Sequence, residues 1–147
     1  NPLSGDYKEW NNGALSDFNG KENTIALIGE THHDTEHLYA FMATYAKLSN
    51  DSQTQNKGYS DWYVPALGQL ALISLNKQKV DEALLKIGGV IFKNTQYWSC
   101  TEHSAGEAWG VNLGYGGVWH ERKDKGFNVR LIRDNNLNKV HLLHIEN

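Results

Sequence analysis

The feature that most constrains this chain is a change of pattern near residue 90. Before it, apolar residues recur at helical spacing; after it, they fall in short β-prone runs about ten residues apart, separated by glycines. Leu38, Phe41, Met42, Tyr45 and Leu48 predict an amphipathic helix over about 35–48, with Asp34 or Thr35 as its cap. Residues 58–65 read as a turn and short strand stopped by Pro65, which lacks an N–H and opens a second helix carrying Leu67, Leu70, Ala71 and Ser74 on one face. Val80, Leu84 and Ile87 line a further helical stretch, ended by Gly88-Gly89 as a C-cap. Upstream, the apolar run Ile25 to Ile28 follows a Gly- and Asn-rich stretch and reads as a loop, then a short strand or helix stub. The later runs, 97–101, 108–113, 117–121, 127–133 and 140–145, predict an antiparallel meander. Two to three helices followed by a short-stranded antiparallel sheet make an α+β fold, read as one domain over 1–147.

Composition narrows the function classes. A net charge of −3 gives no basic field to hold a phosphate backbone, so nucleic acid is not an expected partner. No apolar run approaches the roughly 20 residues of a membrane helix, so membrane insertion by this chain is not expected either. One cysteine, Cys100, excludes an internal disulfide framework and a four-cysteine zinc site. The chain begins at Asn1 rather than methionine, which fits removal of an upstream leader or anchor.

Several residue groups invite a chemical reading. His33 and His37, at i and i+4 around Glu36, would share a helix face and chelate a metal, in the residue order of inverted zinc proteases. The plainer reading is a polar helix start with acidic residues near the positive dipole end, and no metal or cofactor is expected. Cys100 beside a histidine would make a thiol catalyst, yet within a strand it reads as a small strand residue. Glu102 with Glu107 or Glu121 offers a carboxylate pair, with nothing in the sequence to separate their roles. Gly88-Gly89, Gly114, Gly116 and Gly117 lack phosphate-loop spacing and read as turns.

The segment from Tyr97 to Asn128 is the most informative. It mixes Tyr97, Trp98, Trp109, Tyr115, Trp119 and Phe127 with His103, Glu107, His120, Glu121, Arg122 and Asp124, a composition suited to a recognition surface. Trp98 and Trp109 sit in runs that read as core. Tyr115, Trp119 and His120 lie beside glycine-rich turns and read as exposed.

Read in order, Gly58-Tyr-Ser-Asp-Trp-Tyr-Val-Pro-Ala-Leu-Gly-Gln-Leu70, Ile87-Gly-Gly89, Tyr97-Trp-Ser-Cys-Thr-Glu102, Ala108-Trp109 and Val129-Arg130 resemble a bacterial C-type-lectin-like family. That family is typified by the C-terminal domain of the Legionella collagen-like protein, within the formylglycine-generating-enzyme type of lectin fold. The resemblance covers about residues 14–133. Gln69 stands where the family pattern has glutamate, Cys100 where it has serine, and 134–147 form an extension.

The resemblance implies a C-type-lectin-like fold and a non-enzymatic ligand-binding domain, at a cell surface, secreted, or on a phage particle. In this fold, variable proteins of diversity-generating retroelements carry a variable segment, here about 97–130. Carried over residue by residue, the positions contacting a protein or glycan ligand are Cys100, His103, Ala105, Gly106, Glu107, Gly110, Tyr115, Trp119, His120, Arg122, Asp124, Gly126 and Asn128, with Glu121 beside them. A fixed-sequence adhesin or glycan-binding module is the alternative, and a small zinc hydrolase at His33 and His37 a more distant one. Relatives that generate formylglycine use paired cysteines, and calcium-dependent sugar lectins use Glu-Pro-Asn or Gln-Pro-Asp with Trp-Asn-Asp; this chain carries none of these.

Overall fold

The computed structural model describes residues 14–30, 38–51, 59–104, 106–135 and 142–145. These form α1 (Gly20–Glu30), α2 (Leu38–Asp51), α3 (Leu67–Leu75), α4 (Lys77–Lys86), β1 (Gln96–Glu102), β2 (Glu107–Asn112), β3 (Val118–Arg122), β4 (Ile132–Asn135) and β5 (Leu142–Ile145). The α+β reading holds, with helices preceding an antiparallel sheet of order β1-β2-β3.

The helices differ from expectation in instructive ways. The stretch read as a loop and stub is the full helix α1. Asn19 caps it: its Oδ1 accepts from the Glu22 N–H at 3.0 Å, and its Nδ2 donates to the Glu22 carboxylate at 3.0 Å. An Asn-x-x-Glu signature was present, masked by the glycine and asparagine around it. Within α2 the predicted spacing is right and its phase is not. Tyr39, Met42, Ala43, Ala46 and Ser49 are buried, while Tyr45 and Leu48 face solvent. Ala43 and Ala46 carry weak apolar signals, so part of this inner face, shared with Tyr39 and Met42, does not stand out in the sequence. The cap expected at Asp34 or Thr35 lies outside the described residues.

Pro65 precedes α3, and the helical stretch after it is divided in two at Asn76, whose N–H bonds both Leu72 and Ile73 carbonyls at 3.1 Å. Gln69 at the third position of α3 accepts from the N–H groups of Ala66 at 3.0 Å and Gly20 at 3.1 Å, joining the starts of two helices. At the end of α4 the predicted glycine cap is present. Gly88 has φ +74, and the N–H groups of Gly88 and Gly89 bond the carbonyls of Leu85 and Leu84 at 3.2 and 2.8 Å, a Schellman motif. Ile87, expected inside, is exposed.

Strand β1 is the centre of the molecule, and every residue after Gln96 in it is buried. Trp98 and Cys100 enter one apolar cluster with Leu27, Tyr39, Met42, Trp62 and Leu131; Tyr97 enters another with Leu70, Ile73, Leu84, Phe92 and Ile132. Both faces are buried although Ser99, Thr101 and Glu102 are polar, because each of these side chains is hydrogen-bonded or ion-paired inside the protein. Its pairing with β2 slips between Trp98 and Glu102. There the strand turns to other partners: Cys100 N–H donates to the Pro65 carbonyl at 3.0 Å and Glu102 N–H to that of Ala14 at 2.8 Å.

The predicted five-stranded meander is interrupted. Residues 127–131 run along the free edge of β1 without forming a strand, bonded through Trp98 N–H to Asn128 O at 2.9 Å and Asn128 N–H to Gln96 O at 3.1 Å. Only β4 follows. It pairs antiparallel with β5 in a separate two-stranded sheet and with Tyr63 through a single bridge.

One buried ion pair ties these parts together. Lys123, just past β3, donates through Nζ to the Glu102 carboxylate at 2.5 Å, and both side chains are fully enclosed. Its N–H donates to Gly106 O at 3.0 Å, and its carbonyl accepts from Tyr39 N–H at 3.1 Å. Burial lowers the Lys123 pKa, an effect opposed by the Glu102 carboxylate. Removing one member of such a pair strands a buried charge. Lys123→Met is expected to cost about 3–5 kcal/mol, and Lys123→Met with Glu102→Gln to recover most of it, measured by urea unfolding.

Candidate functional site

Strands β2 and β3 present two unlike faces, because successive side chains alternate. Gly110 opposes Trp119 in the ladder, and Trp109 opposes His120. On the inner face Trp119 packs on Trp98 and Phe127, with ring centroids at 5.0 and 4.6 Å. Gly110 permits this: a Cβ there would lie 2.2 Å from the Trp119 ring. On the outer face lie Glu107, Trp109, His120 and Arg122, joined by His103 just beyond β1.

The two tryptophans therefore exchange their predicted places. Trp109, read as core, is half-buried and belongs to the outer face; Trp119, read as exposed, packs inward. Trp119 and His120 are neighbours on one strand, so alternation turns only one of them outward, and that one is His120.

The outer cluster is closely built. The rings of His103 and His120 stack at 4.0 Å and 7°, and Trp109 meets them edge to face at 4.9 and 5.0 Å. His120 Nδ1 lies 2.5 Å from Glu107 Oε1. A short turn sets His103 against Glu107, since His103 and Ser104 both donate their N–H to the Glu107 carbonyl, at 3.0 and 3.1 Å. At the rim Arg122 and Asp124 form an exposed pair at 2.6 Å, a contact that orients more than it stabilises.

Other predicted residues are distributed differently. Tyr115 is 79% exposed at the tip of the β2–β3 hairpin, on a turn in which Asn112 Oδ1 accepts from Gly114 N–H at 2.7 Å. It stands at the opposite end of the hairpin from Glu107, so Tyr115, Trp119 and His120 do not form one contact patch. Glu121 is half-buried on the inner side of β3. Gly106 is half-buried, and Gly126 is exposed in the loop after β3. Asn128 is half-buried and donates to the Gln96 carbonyl at 3.2 Å. Ala105, His33 and His37 lie outside the described residues.

Two of the positions lie beneath the surface. Gly110 is enclosed under Trp119, and Cys100 is fully buried with its thiol donating to the Val64 carbonyl at 3.0 Å. Burial pushes the Cys100 thiol up to about 12, so it is neither a contact residue nor a ready nucleophile. Glu102 is likewise buried against Lys123 and forms no solvent-facing carboxylate pair with Glu107 or Glu121. A separate concavity of about 310 Å³ is lined by Phe18, Lys21, Tyr63, Gln69, Leu72 and Asp134. There the Tyr63 hydroxyl donates to Asp134 at 2.5 Å, and burial with that carboxylate raises its pKa well above the ordinary value.

The model of the Lcl C-terminal domain matches residues 9–133, which include β1 to β3 and the outer cluster. The chain belongs to the Lcl C-terminal domain family. This is the family that the Asp-Trp-Tyr-Val-Pro and Tyr-Trp-Ser-Cys-Thr-Glu segments resemble. The Lcl C-terminal domain match ends within β4, and β5, which pairs with β4, lies beyond the matched residues. Neither the curated proteins nor the solved structures give a match to the chain.

The thiol environment in this Lcl C-terminal domain leads to a direct test. Cys100 is expected to react with a disulfide reagent at pH 8 at least about a thousandfold more slowly in native buffer than in denaturant, because reaction waits on opening of the core. Comparable rates in the two conditions would contradict the burial of Cys100.

Proposed function

We propose that the chain is a non-catalytic ligand-binding module of C-type-lectin-like type, whose recognition surface is the outer face of β2 and β3 with His103. The observation that carries this reading is the aromatic patch of Trp109, His103 and His120, rimmed by Glu107, Arg122 and Asp124. Ring side chains on a rigid sheet bring contact area at low entropy cost, and mixed charges at the rim add orientation. Membership in the Lcl C-terminal domain family agrees with a surface-type module. Two side chains that the sequence offers for covalent or acid–base work are engaged in the core: Cys100 is enclosed and Glu102 is held by Lys123. The ligand class is a protein or a glycan, and the setting a cell surface, a secreted protein or a phage particle.

Burial also bears on diversification. His103, Tyr115, His120, Arg122 and Gly126 are exposed, while Ala108, Val111 and Asn112 between them are buried, with Cys100 and Gly110 the enclosed exceptions among the variable positions. That separation of displayed from supporting positions suits a retroelement-diversified segment. Sequencing the locus across a growing population is expected to show substitutions concentrated at the exposed codons and matched by a nearby near-copy. An even or silent spectrum favours a fixed-sequence adhesin.

Binding itself is tested by changing His103, Trp109 and His120 together to alanine and measuring attachment to host-type cells and arrayed glycans. Each anchor is expected to contribute about 1–2 kcal/mol, so the triple change lowers affinity by at least about a hundredfold. Alanine at Leu75 and Leu85, exposed on α3 and α4, serves as the control and leaves binding intact. Unchanged attachment by a folded triple variant would place recognition elsewhere.

A further inference from the structure

We infer that His103, Glu107 and His120 form a site for a divalent transition-metal ion of the zinc type. Each offers one ligand atom, and these atoms all lie within 4.8 Å of one another. Two imidazoles and a carboxylate are ligands that zinc, copper and nickel accept, whereas calcium and magnesium require oxygen-rich sets. Ligand atoms around a tetrahedral zinc, at bond lengths of about 2.0–2.1 Å, stand ~3.3 Å apart, so the cluster needs an inward movement of at most ~1.5 Å.

The arrangement makes that movement small. The stacked rings place two imidazoles side by side at 4.0 Å, while His120 Nδ1 and Glu107 Oε1, hydrogen-bonded at 2.5 Å, give up that bond and part by ~0.8 Å if both ligate the ion. His103 and His120 are both exposed, so their rings can adjust without displacing the core. The backbone beneath them is fixed. His103 follows Glu102 of the buried ion pair, Glu107 closes the turn by accepting two N–H groups, and His120 is held in the ladder opposite Trp109. Trp109, edge-on to both imidazoles, restricts how far they can splay. Three protein ligands leave a fourth position for water or for a donor atom of a bound partner.

This goes beyond the recognition role and does not require it, because the ion alone is the probe. Zinc binding to the full chain is measured by equilibrium dialysis and calorimetry, and cobalt(II) absorption reports the ligand set. The wild-type chain is expected to bind zinc at this site and to unfold at a higher temperature with zinc than with chelator. His103→Gln and His120→Gln are each expected to lower zinc affinity by about a hundredfold or more, given that even indirect supporting residues cost 10–100-fold. Glu107→Gln is expected to weaken binding while keeping the fold. A His33→Gln, His37→Gln chain is expected to keep the site, which separates it from the other histidine cluster. Near-UV circular dichroism confirms that each variant is folded. Absence of zinc binding by the wild-type chain, or unchanged affinity in both His103→Gln and His120→Gln, would overturn the assignment. Trp109→Ala keeps all three ligands, so loss of attachment in that variant with zinc affinity unchanged bears only on the recognition role, and the two ideas fail independently.

Discussion

The pairing of Glu102 with Lys123 inside the protein is the constraint on which the site depends. Enclosing two charges is costly, and the attraction between them largely offsets that cost rather than adding a large net stability. What the pair provides is position. Lys123 reaches three places at once: its ammonium meets the end of β1, its N–H meets Gly106 in the β1–β2 turn, and its carbonyl meets the start of α2. The ammonium also lies 5.5 Å from the centre of the Tyr39 ring. The residues adjoining these anchor points, His103, Glu107 and Arg122, are the ones displayed. Their backbone is set by contacts made inside, which leaves the side chains free of structural duty.

The two faces of β2 and β3 divide the remaining work. Inside, Trp98, Trp119 and Phe127 form a cluster of tilted and edge-to-face rings that depends on Gly110 having no side chain. Outside, Trp109 and two histidines form a second ring cluster across the same pair of strands. A substitution on the outer face meets solvent; one on the inner face meets a close-packed cluster in which even a methyl group is felt. Tolerance to sequence change therefore alternates residue by residue along β3.

How much of this was legible depends on which physical signal each element carries. Gly88-Gly89 spelled the end of α4 because only a residue without a side chain sits easily at positive φ. The spacing of α2 was legible, but its inner face is built around Ala43 and Ala46, which carry weak apolar signals. The strands β1, β2 and β3 were legible as runs. The phase of β3 was not, because Trp119 and His120 are adjacent and either could face inward until the partner strand is known. Lys123 was invisible for a different reason. It sits in the run Glu121-Arg-Lys-Asp-Lys125, which reads as solvated, and only the tertiary fold brings Glu102 to it. The site was thus found as an interval, while its outward partners, Trp109 with His103 and His120, required the sheet register.

The segment that most clearly marks the family makes no contact with solvent through any of its six side chains, and each has a structural task. The Tyr97 hydroxyl accepts from Lys93 N–H, Trp98 donates to the Lys125 carbonyl, and Ser99 donates to that of Trp109. Cys100 donates to the Val64 carbonyl, Thr101 to that of Ser16 while accepting from Leu67 N–H, and Glu102 holds Lys123. These six residues join β1 to both flanking helices' approaches and to the hairpin. They specify a scaffold. His103, the next residue, is the first to reach solvent. The boundary between enclosed and displayed side chains therefore falls between Glu102 and His103, one peptide bond from the buried charge that holds the displayed cluster in place.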